Sequence, residues 1–411
     1  MISLSRPSRR SLLKIFAALA GGGNAVAAAS QASTAVEAGL KVLDERYWCD
    51  PISIWLDREG DQLRAHWEGR VNAPWWSAAN AVELMVDCAT VTQSKTFDAR
   101  LEAMHDLQRD PVQRWPRVAE ALRKKGQWSA QDDTRLAARM ARPSRHTEFR
   151  NEYLDDSAWW AIAWLKMYDR TRDAKYLATA RAIHAHMLKN WRPDLDGGVI
   201  WCEETGKQKP NAITNGLYLI LSSRLAVRVP DGGYREPAGK AIAWLHEKQL
   251  FDGRGVVDAP GHVGDWWSYN QGVYLGGLVE YAALTGEPRH LDEAARVIEA
   301  VLTQAGFMDA DGIVVEKLGT SGWDGCLFKG IFARYLAQTK DALAKGGLHP
   351  ATVQLIDRAL QATAQSLSRP GILQNGLYPA DWSPDGKNQE RNFNTHLSAL
   401  MALRAASVDQ G

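Results

Sequence analysis

The chain has little cysteine: Cys49, Cys88, Cys202 and Cys326 are the only four in 411 residues. They lie 39, 114 and 124 residues apart, which fits no zinc-ligand spacing and is too sparse for a disulfide framework. Net charge is nearly absent, with 49 basic against 48 acidic residues. That argues against a nucleic-acid binder, which carries a basic excess. Beyond the N-terminus no apolar run reaches the ~18 residues of a membrane span, so a polytopic membrane protein is excluded. Strand-like alternation is scarce. No G-x-x-x-x-G-K or G-x-G-x-x-G opens a helix after a strand, so nucleotide binding is unsupported. His184 and His186 are two apart on a helix and do not share a face, so no metal site is expected there. Phenylalanine is scarce too, 8 against 17 tryptophans. Tryptophan is favoured where flat surfaces with a polar edge are wanted, and sugar rings are one such ligand. At 45% hydrophobic, the chain has ample material for a core.

The first 33 residues read as an export signal. Ser8-Arg9-Arg10-Ser11-Leu12-Leu13-Lys14 looks like the twin-arginine pattern, followed by a short apolar stretch from Ile15 to Ala20. Ala27-Ala28-Ala29 offers a small-residue cleavage site, and the apolar stretch is too short for an anchor. A protein exported this way folds first in a reducing compartment, which agrees with few, scattered cysteines. The expected destination is the periplasm or exterior of a bacterium.

The remainder, residues 34–411, reads as one domain of successive helices with a repeat of about 57 residues. Thr171, Tyr176, Leu177 and Ala180 recur as Thr285, His290, Leu291 and Ala294, with a degenerate copy at Val229, Tyr234 and Ala238. Polar clusters open apolar helices at Asp155-Asp156, at Asn211 to Asn215, at Tyr269-Asn270-Gln271 and at Phe328-Lys329, in steps of 56, 59 and 58. Trp75-Trp76 fits an earlier opening and Asn394-Thr395-His396 a later one, with a charged insertion at residues 97–148 between the first two. Six helical hairpins closed into a ring make an all-α (α/α)6 toroid; left open they make a linear solenoid. In a ring, the inner helices aim their N-termini, with free N–H groups, at one face.

Asp155 and Asp156 are the most informative pair. One aspartate at a helix start is an ordinary cap, but two adjacent ones cannot both cap it. Side by side in one pocket they resist ionising together, so one stays protonated. One charged and one neutral carboxyl is what glycosidic cleavage requires.

At this point the sequence resembles glycoside hydrolase family 76, the endo-α-1,6-mannanases, from about Trp75 to Leu336. The resemblance rests on Asn151-x-Tyr153-x-Asp155-Asp156-x-x-Trp159-Trp160, Thr171 through Leu177, and Gly197-Gly198-Val199-Ile200-Trp201. Asn211-Ala212-Ile213-Thr214-Asn215-Gly216, Tyr269-Asn270-Gln271-Gly272 and Phe328-Lys329-Gly330-Ile331-Phe332-Ala333-Arg334 follow in family order. Pro210, Asp196 and the long segment 97–148 depart from the pattern and bear on cleft shape. The resemblance implies the (α/α)6 fold and retaining cleavage of α-1,6-mannosidic bonds in a mannan or mannose-rich glycan. It makes Asp155 the nucleophile and Asp156 the general acid/base.

Around the pair, Asn211, Asn215, Asn270 and Gln271 are neutral amides that either bind sugar hydroxyls or cap helices. Tyr269 and Phe328 are either cleft walls or core. Asp265 and Trp266 precede Tyr269 in a loop where an exposed indole would suit sugar stacking. Lys329 either pairs with an aspartate or is solvated, and Trp159 and Trp160 are expected between helices. The two carboxylates supply all the chemistry, so no cofactor is required, and a monomer is expected. A transglycosylase on the same fold and a carbohydrate-binding protein without catalysis are the rival readings.

Overall fold

In the computed structural model the described residues are 23–142 and 147–407. The twin-arginine-like segment lies outside them. The expected cleavage stretch falls in the backbone of the first helix, α1 (Gly23–Tyr47).

Fifteen α-helices and one two-stranded sheet are present among the described residues. Six helices form an inner ring: α3 (Trp75–Thr92), α7 (Leu154–Thr171), α9 (Ala212–Arg228), α11 (Ser268–Thr285), α13 (Gly322–Gly346) and α15 (Phe393–Ser407). Six others pack outside: α1, α4 (Asp98–Gln108), α8 (Ala174–Lys189), α10 (Arg235–Glu247), α12 (Arg289–Thr303) and α14 (Pro350–Leu367). Helix α1 lies against α15 and α3, so the last hairpin pairs an inner helix late in the chain with an outer helix early in it. This is the (α/α)6 toroid expected from the repeat. The sheet, β1 (Trp48–Cys49) against β2 (Ile54–Trp55), is antiparallel and follows α1.

Burial separates the two rings. In α9 every residue from Ala212 to Ala226 is buried, as expected of a helix packed on all sides. In α12 the buried residues, among them Ala294, Val297, Ile298 and Val301, recur at three- and four-residue spacing along one stripe. Glycine lets the inner helices approach. A Cβ on Gly330 would sit 2.6 Å from the Ser398 carbonyl oxygen of α15, and one on Gly272 would sit 2.9 Å from the Phe332 Cα of α13.

The described residues of segment 97–148 contain three α-helices, α4, α5 (Arg114–Lys124) and α6 (Ala130–Met140). Helix α4 takes an outer position against α7 and α8: Arg170 pairs with Asp98 at 3.1 Å, and His105 Nε2 meets Thr179 Oγ1 at 3.0 Å. Helices α5 and α6 cover α2 (Leu63–Trp67), where Trp67 Nε1 donates to Asp132 at 2.7 Å and Arg139 stacks over Trp67 and Trp115.

Inside the ring, Glu83 of α3 is buried and paired with Arg334 of α13 and, at 2.9 Å, with Lys166 of α7. Arg224 of α9 pairs with Glu280 of α11 at 2.8 Å. Charged contacts thus tie five of the six inner helices across the ring. Among the described residues, no helix is long and apolar enough to cross a membrane.

Candidate active site

The N-termini of five inner helices line one cavity of about 620 Å³. Its walls are aromatic (Trp75, Trp76, Tyr153, Trp159, Trp201, Tyr269, Trp323 and Phe328), and its polar side chains are five carboxylates, Asp57, Asp155, Asp156, Asp258 and Asp324, with the amides Asn72 and Asn211. Among the described residues, no lysine, arginine or histidine lines it. Aromatic faces with a few convergent acceptors suit an uncharged polyhydroxylated ligand.

Asp155 and Asp156 lie inside the first turn of α7, after Leu154, and not ahead of it. The cap position falls to Tyr153, whose side chain makes no cap bond. Asn151 ties the turn that leads into the helix: its Oδ1 accepts from Tyr153 N at 3.1 Å, while its Nδ2 donates to Asp156 Oδ2 at 2.7 Å. Both carboxyls face the cavity. Asp155 accepts on both oxygens, from Asp156 N at 3.0 Å and from the indole Nε1 of Trp201 at 3.0 Å.

Burial pushes the Asp155 carboxyl up to about 7, against the pull of its donors, with Asp258 adding to the rise. Burial and the charge of Asp155 push Asp156 well above the carboxylate range. Two donors and the helix N-terminus favour charge on Asp155, whereas Asp156 has one donor and a charged neighbour. Near neutral pH, Asp155 is therefore the member that ionises and Asp156 the member that holds a proton. A carboxyl raised in the folded state weakens folding as pH climbs above its unfolded value of about 3.9. Asp156→Asn should consequently melt at a higher temperature than the parent at pH 7. The gain should shrink to nothing near pH 4; thermal unfolding at the two pH values checks this.

The other expected site residues divide by direction. Asn211 both caps α9, accepting from Thr214 N at 3.2 Å, and lines the cavity. Tyr269 and Phe328 are stacked walls, ring centroids 3.9 Å apart. Burial holds the Tyr269 phenol far above its usual range, so it stays a neutral donor. Asn270 stands behind the wall and donates to Asp258 Oδ1 at 2.8 Å.

Asn215 and Gln271 point away from the cavity. Each uses its amide on the backbone of one loop residue: Asn215 on Val199 N and O at 2.8 and 2.9 Å, Gln271 on Val256 N and O at 2.7 and 2.8 Å. Lys329 is buried on the far side of Phe328, donating to the Ala380 carbonyl and lying 4.0 Å over the Trp382 ring. Burial lowers it to about 8, against the pull of Asp381 and Glu316. Trp266 is not an exposed platform: it is 5% exposed, donates to Asp252 at 3.0 Å and is covered by Lys317. Asp265 sits on the loop outside the cavity, 3.2 Å from His262. With Asp258 these two form a set whose donor atoms lie within 4.8 Å of one another, the one such group among the described residues.

Asp57, Asp258 and Asp324, with the aromatic walls Tyr153, Trp159, Trp201 and Trp323, were not among the expected site residues. Trp159, expected between helices, forms cavity wall beside Trp76, whereas Trp160 is core. Asp324 was missed because α13 begins at Gly322, six residues before Phe328, which places Asp324 in its first turn. Trp76 Nε1 holds it at 2.9 Å. Asp258 carried a legible signal: it lies 57 residues after Trp201, each two residues past a valine.

Comparison with known proteins follows the same lines. The chain is 25% identical over 280 residues to a mannan endo-1,6-alpha-mannosidase of Candida albicans, covering 62% of this chain and 61% of that one. It is 24% identical over 277 residues to a mannan endo-1,6-alpha-mannosidase of Saccharomyces cerevisiae, covering 61% and 58%. The chain thus spans about three-fifths of the length of these curated relatives. In fold it matches the GH76A alpha-1,6-mannanase of Salegentibacter sp. HEL1_6 with a TM-score of 0.71 at 20% identity, over 92% of this chain and 99% of that one. An inactive variant of that mannanase, with two adjacent aspartates replaced, has been solved with alpha-1,6-mannotetrose at 21% identity, the same TM-score of 0.71 and the same coverage. The model of glycosyl hydrolase family 76 matches residues 59–410, and the chain belongs to that family.

Proposed function

We propose that the protein is a retaining glycoside hydrolase that cleaves α-1,6-mannosidic linkages in mannan or mannose-rich glycans. The carrying observation is the Asp155–Asp156 pair: adjacent carboxyls in one cavity, differently bonded, so that one ionises while the other keeps its proton. Asp155 attacks the anomeric carbon as Asp156 protonates the leaving oxygen. Asp156, now a carboxylate, takes a proton from water, and that water releases the sugar from Asp155. The activities of the relatives and the mannotetrose complex of the structural neighbour support this substrate. The aromatic walls supply faces for sugar rings, and Asn211 and Tyr269 supply hydrogen bonds to hydroxyls.

Incubation with linear α-1,6-mannan should shorten it, and NMR of the first product should show the α anomer at the new reducing end. A β anomer would refute retention. Mannan left intact on overnight incubation would favour a binding protein without catalysis, and elongated products with added mannose acceptors would favour transglycosylation. The twin-arginine-like pattern supports export to the periplasm or exterior of a bacterium as part of the same proposal.

A further inference from the structure

Three loops that precede inner helices share one device. Val199, Val256 and Val314 lie 57 and 58 residues apart. Each has its backbone N–H taken by a side-chain oxygen from the hairpin that follows: Asn215 at 2.8 Å, Gln271 at 2.7 Å and Thr363 at 2.9 Å. Two residues beyond each valine comes a group that accepts the first N–H of the preceding inner helix. Leu154 N donates to the Trp201 carbonyl at 2.9 Å, Ala212 N to the Asp258 carbonyl at 2.8 Å, and Ser268 N to the Glu316 carboxylate at 3.1 Å. The start of each of these helices is thus set by a strap that the next hairpin clamps.

In the first copy the strap reaches the chemistry. Trp201 caps α7 with its carbonyl and donates its indole N–H to Asp155 at 3.0 Å. Its ring leans on Tyr153, centroids 5.1 Å apart, and Lys207 donates to the Tyr153 hydroxyl at 3.0 Å. At the other end of the strap, Asn215 is wholly buried and lines no part of the cavity. Its amide grips both polar groups of Val199, and its Nδ2 also reaches the Asn211 carbonyl at 2.9 Å. Without that clamp the Val199 N–H loses its partner inside the protein, and a buried backbone group in that state drives the loop to rearrange.

We propose that Asn215 is a positioning residue for the nucleophile, acting through Val199 and Trp201 to place the indole N–H that orients Asp155 and favours its charged form. The proposal rests on the reading of Asp155 as nucleophile. It assigns Trp201 the task that a base-orienting partner performs in other catalytic constellations: to hold a reacting group in one rotamer and one protonation state.

The test is a cycle of Trp201→Phe, Asn215→Leu and the double variant. Phenylalanine keeps an aromatic ring beside Tyr153 and removes only the donor. Trp201→Phe should lower kcat on α-1,6-mannooligosaccharides about ten- to a hundredfold, the worth of one hydrogen bond to a charged group, with KM little changed. The acidic limb of the kcat–pH profile should move to higher pH, because the charged form of Asp155 has lost a donor. Asn215→Leu should move the same limb in the same direction, and the double variant should lose no more than Trp201→Phe alone. Asn215→Ser stands in where leucine is not tolerated. A carbon-13 carboxyl titration of Asp155, assigned by its absence in Asp155→Asn, gives a readout independent of turnover. It should shift upward in each variant.

A folded Asn215 variant with an unmoved limb and an unmoved Asp155 titration would overturn the proposal. So would additive losses in the double variant, or a Trp201→Phe protein whose Asp155 titrates as the parent does. Retention of mannan cleavage by Asp155→Asn would instead refute the nucleophile reading. The carboxyl titration would still decide whether the strap governs Asp155.

Discussion

Asp155→Asn should abolish cleavage of every mannoside, including aryl mannosides with good leaving groups, because an amide cannot form the glycosyl-enzyme bond. Asp156→Ala should behave differently. Loss of general acid–base assistance costs about 10²–10⁴-fold on mannan, but aryl mannosides need little protonation to depart and should still form the intermediate. That intermediate should then accumulate, and azide, which needs no general base, should restore turnover and yield an α-mannosyl azide. The contrast follows from the site: Asp155 is flanked by two N–H donors that favour its charge, and Asp156 by one donor and a charged neighbour. Azide rescue of an Asp155 variant in place of Asp156→Ala would reverse the assigned roles. Burst kinetics with an aryl mannoside, with and without azide, measures this directly.

The largest effect on stability is expected at Glu83, far from the chemistry. Its carboxyl is buried between Arg334 of α13 and Lys166 of α7. Burial works against its ionisation, but Arg334, Lys166 and the nearby Arg224 outweigh it and hold the group down at about 2. Glu83→Gln leaves the Arg334 guanidinium without its charged partner inside the ring, where breaking a buried pair costs about 3–5 kcal/mol. Lys166 keeps Asp87 at 2.7 Å, so the loss falls mainly on the α3–α13 contact. A carboxyl lowered in the folded state stabilises above its unfolded value of about 4.3, and that contribution fades as pH falls toward 2. Urea unfolding should therefore separate Glu83→Gln from the parent strongly at pH 7 and progressively less below pH 4. Equal unfolding midpoints at pH 7 would show that the pair carries no net stability.

The carboxylate pair was legible because two adjacent aspartates cannot both cap one helix: Asp155 takes the first-turn N–H of Asp156, while Asp156 accepts from the Asn151 side chain. The amides were not legible residue by residue. Successive side chains on a helix diverge by about 100°, so a polar cluster at a helix start sends its members in different directions. Phe328 faces the cavity while its neighbour Lys329 reaches the Ala380 loop. Asn211 lines the cavity, while Asn215, one turn on, grips Val199. Trp266 was misplaced for a different reason. Gly255, lacking a Cβ, leaves room for the indole to lie flat against the backbone, where a Cβ would come within 2.8 Å of the ring. A loop tryptophan buried by a distant glycine leaves no trace in local pattern.

The repeat of about 57 residues comes from local periodicity and suffices for the toroid, while the motifs at the helix starts carry the family resemblance. Periodicity reports which face of an element is apolar, because burial acts on each element separately. It does not report which polar atoms from different hairpins meet. Trp201 reaches Asp155 across 46 positions, and Trp76 reaches Asp324 across 248. Those distances close only when six inner helices settle at their mutual rotations, and with them come the burial and the neighbouring charges that separate the two carboxyls. The two aspartates are alike in composition and adjacent in sequence; the surroundings that the assembled ring gives each of them make them chemically different.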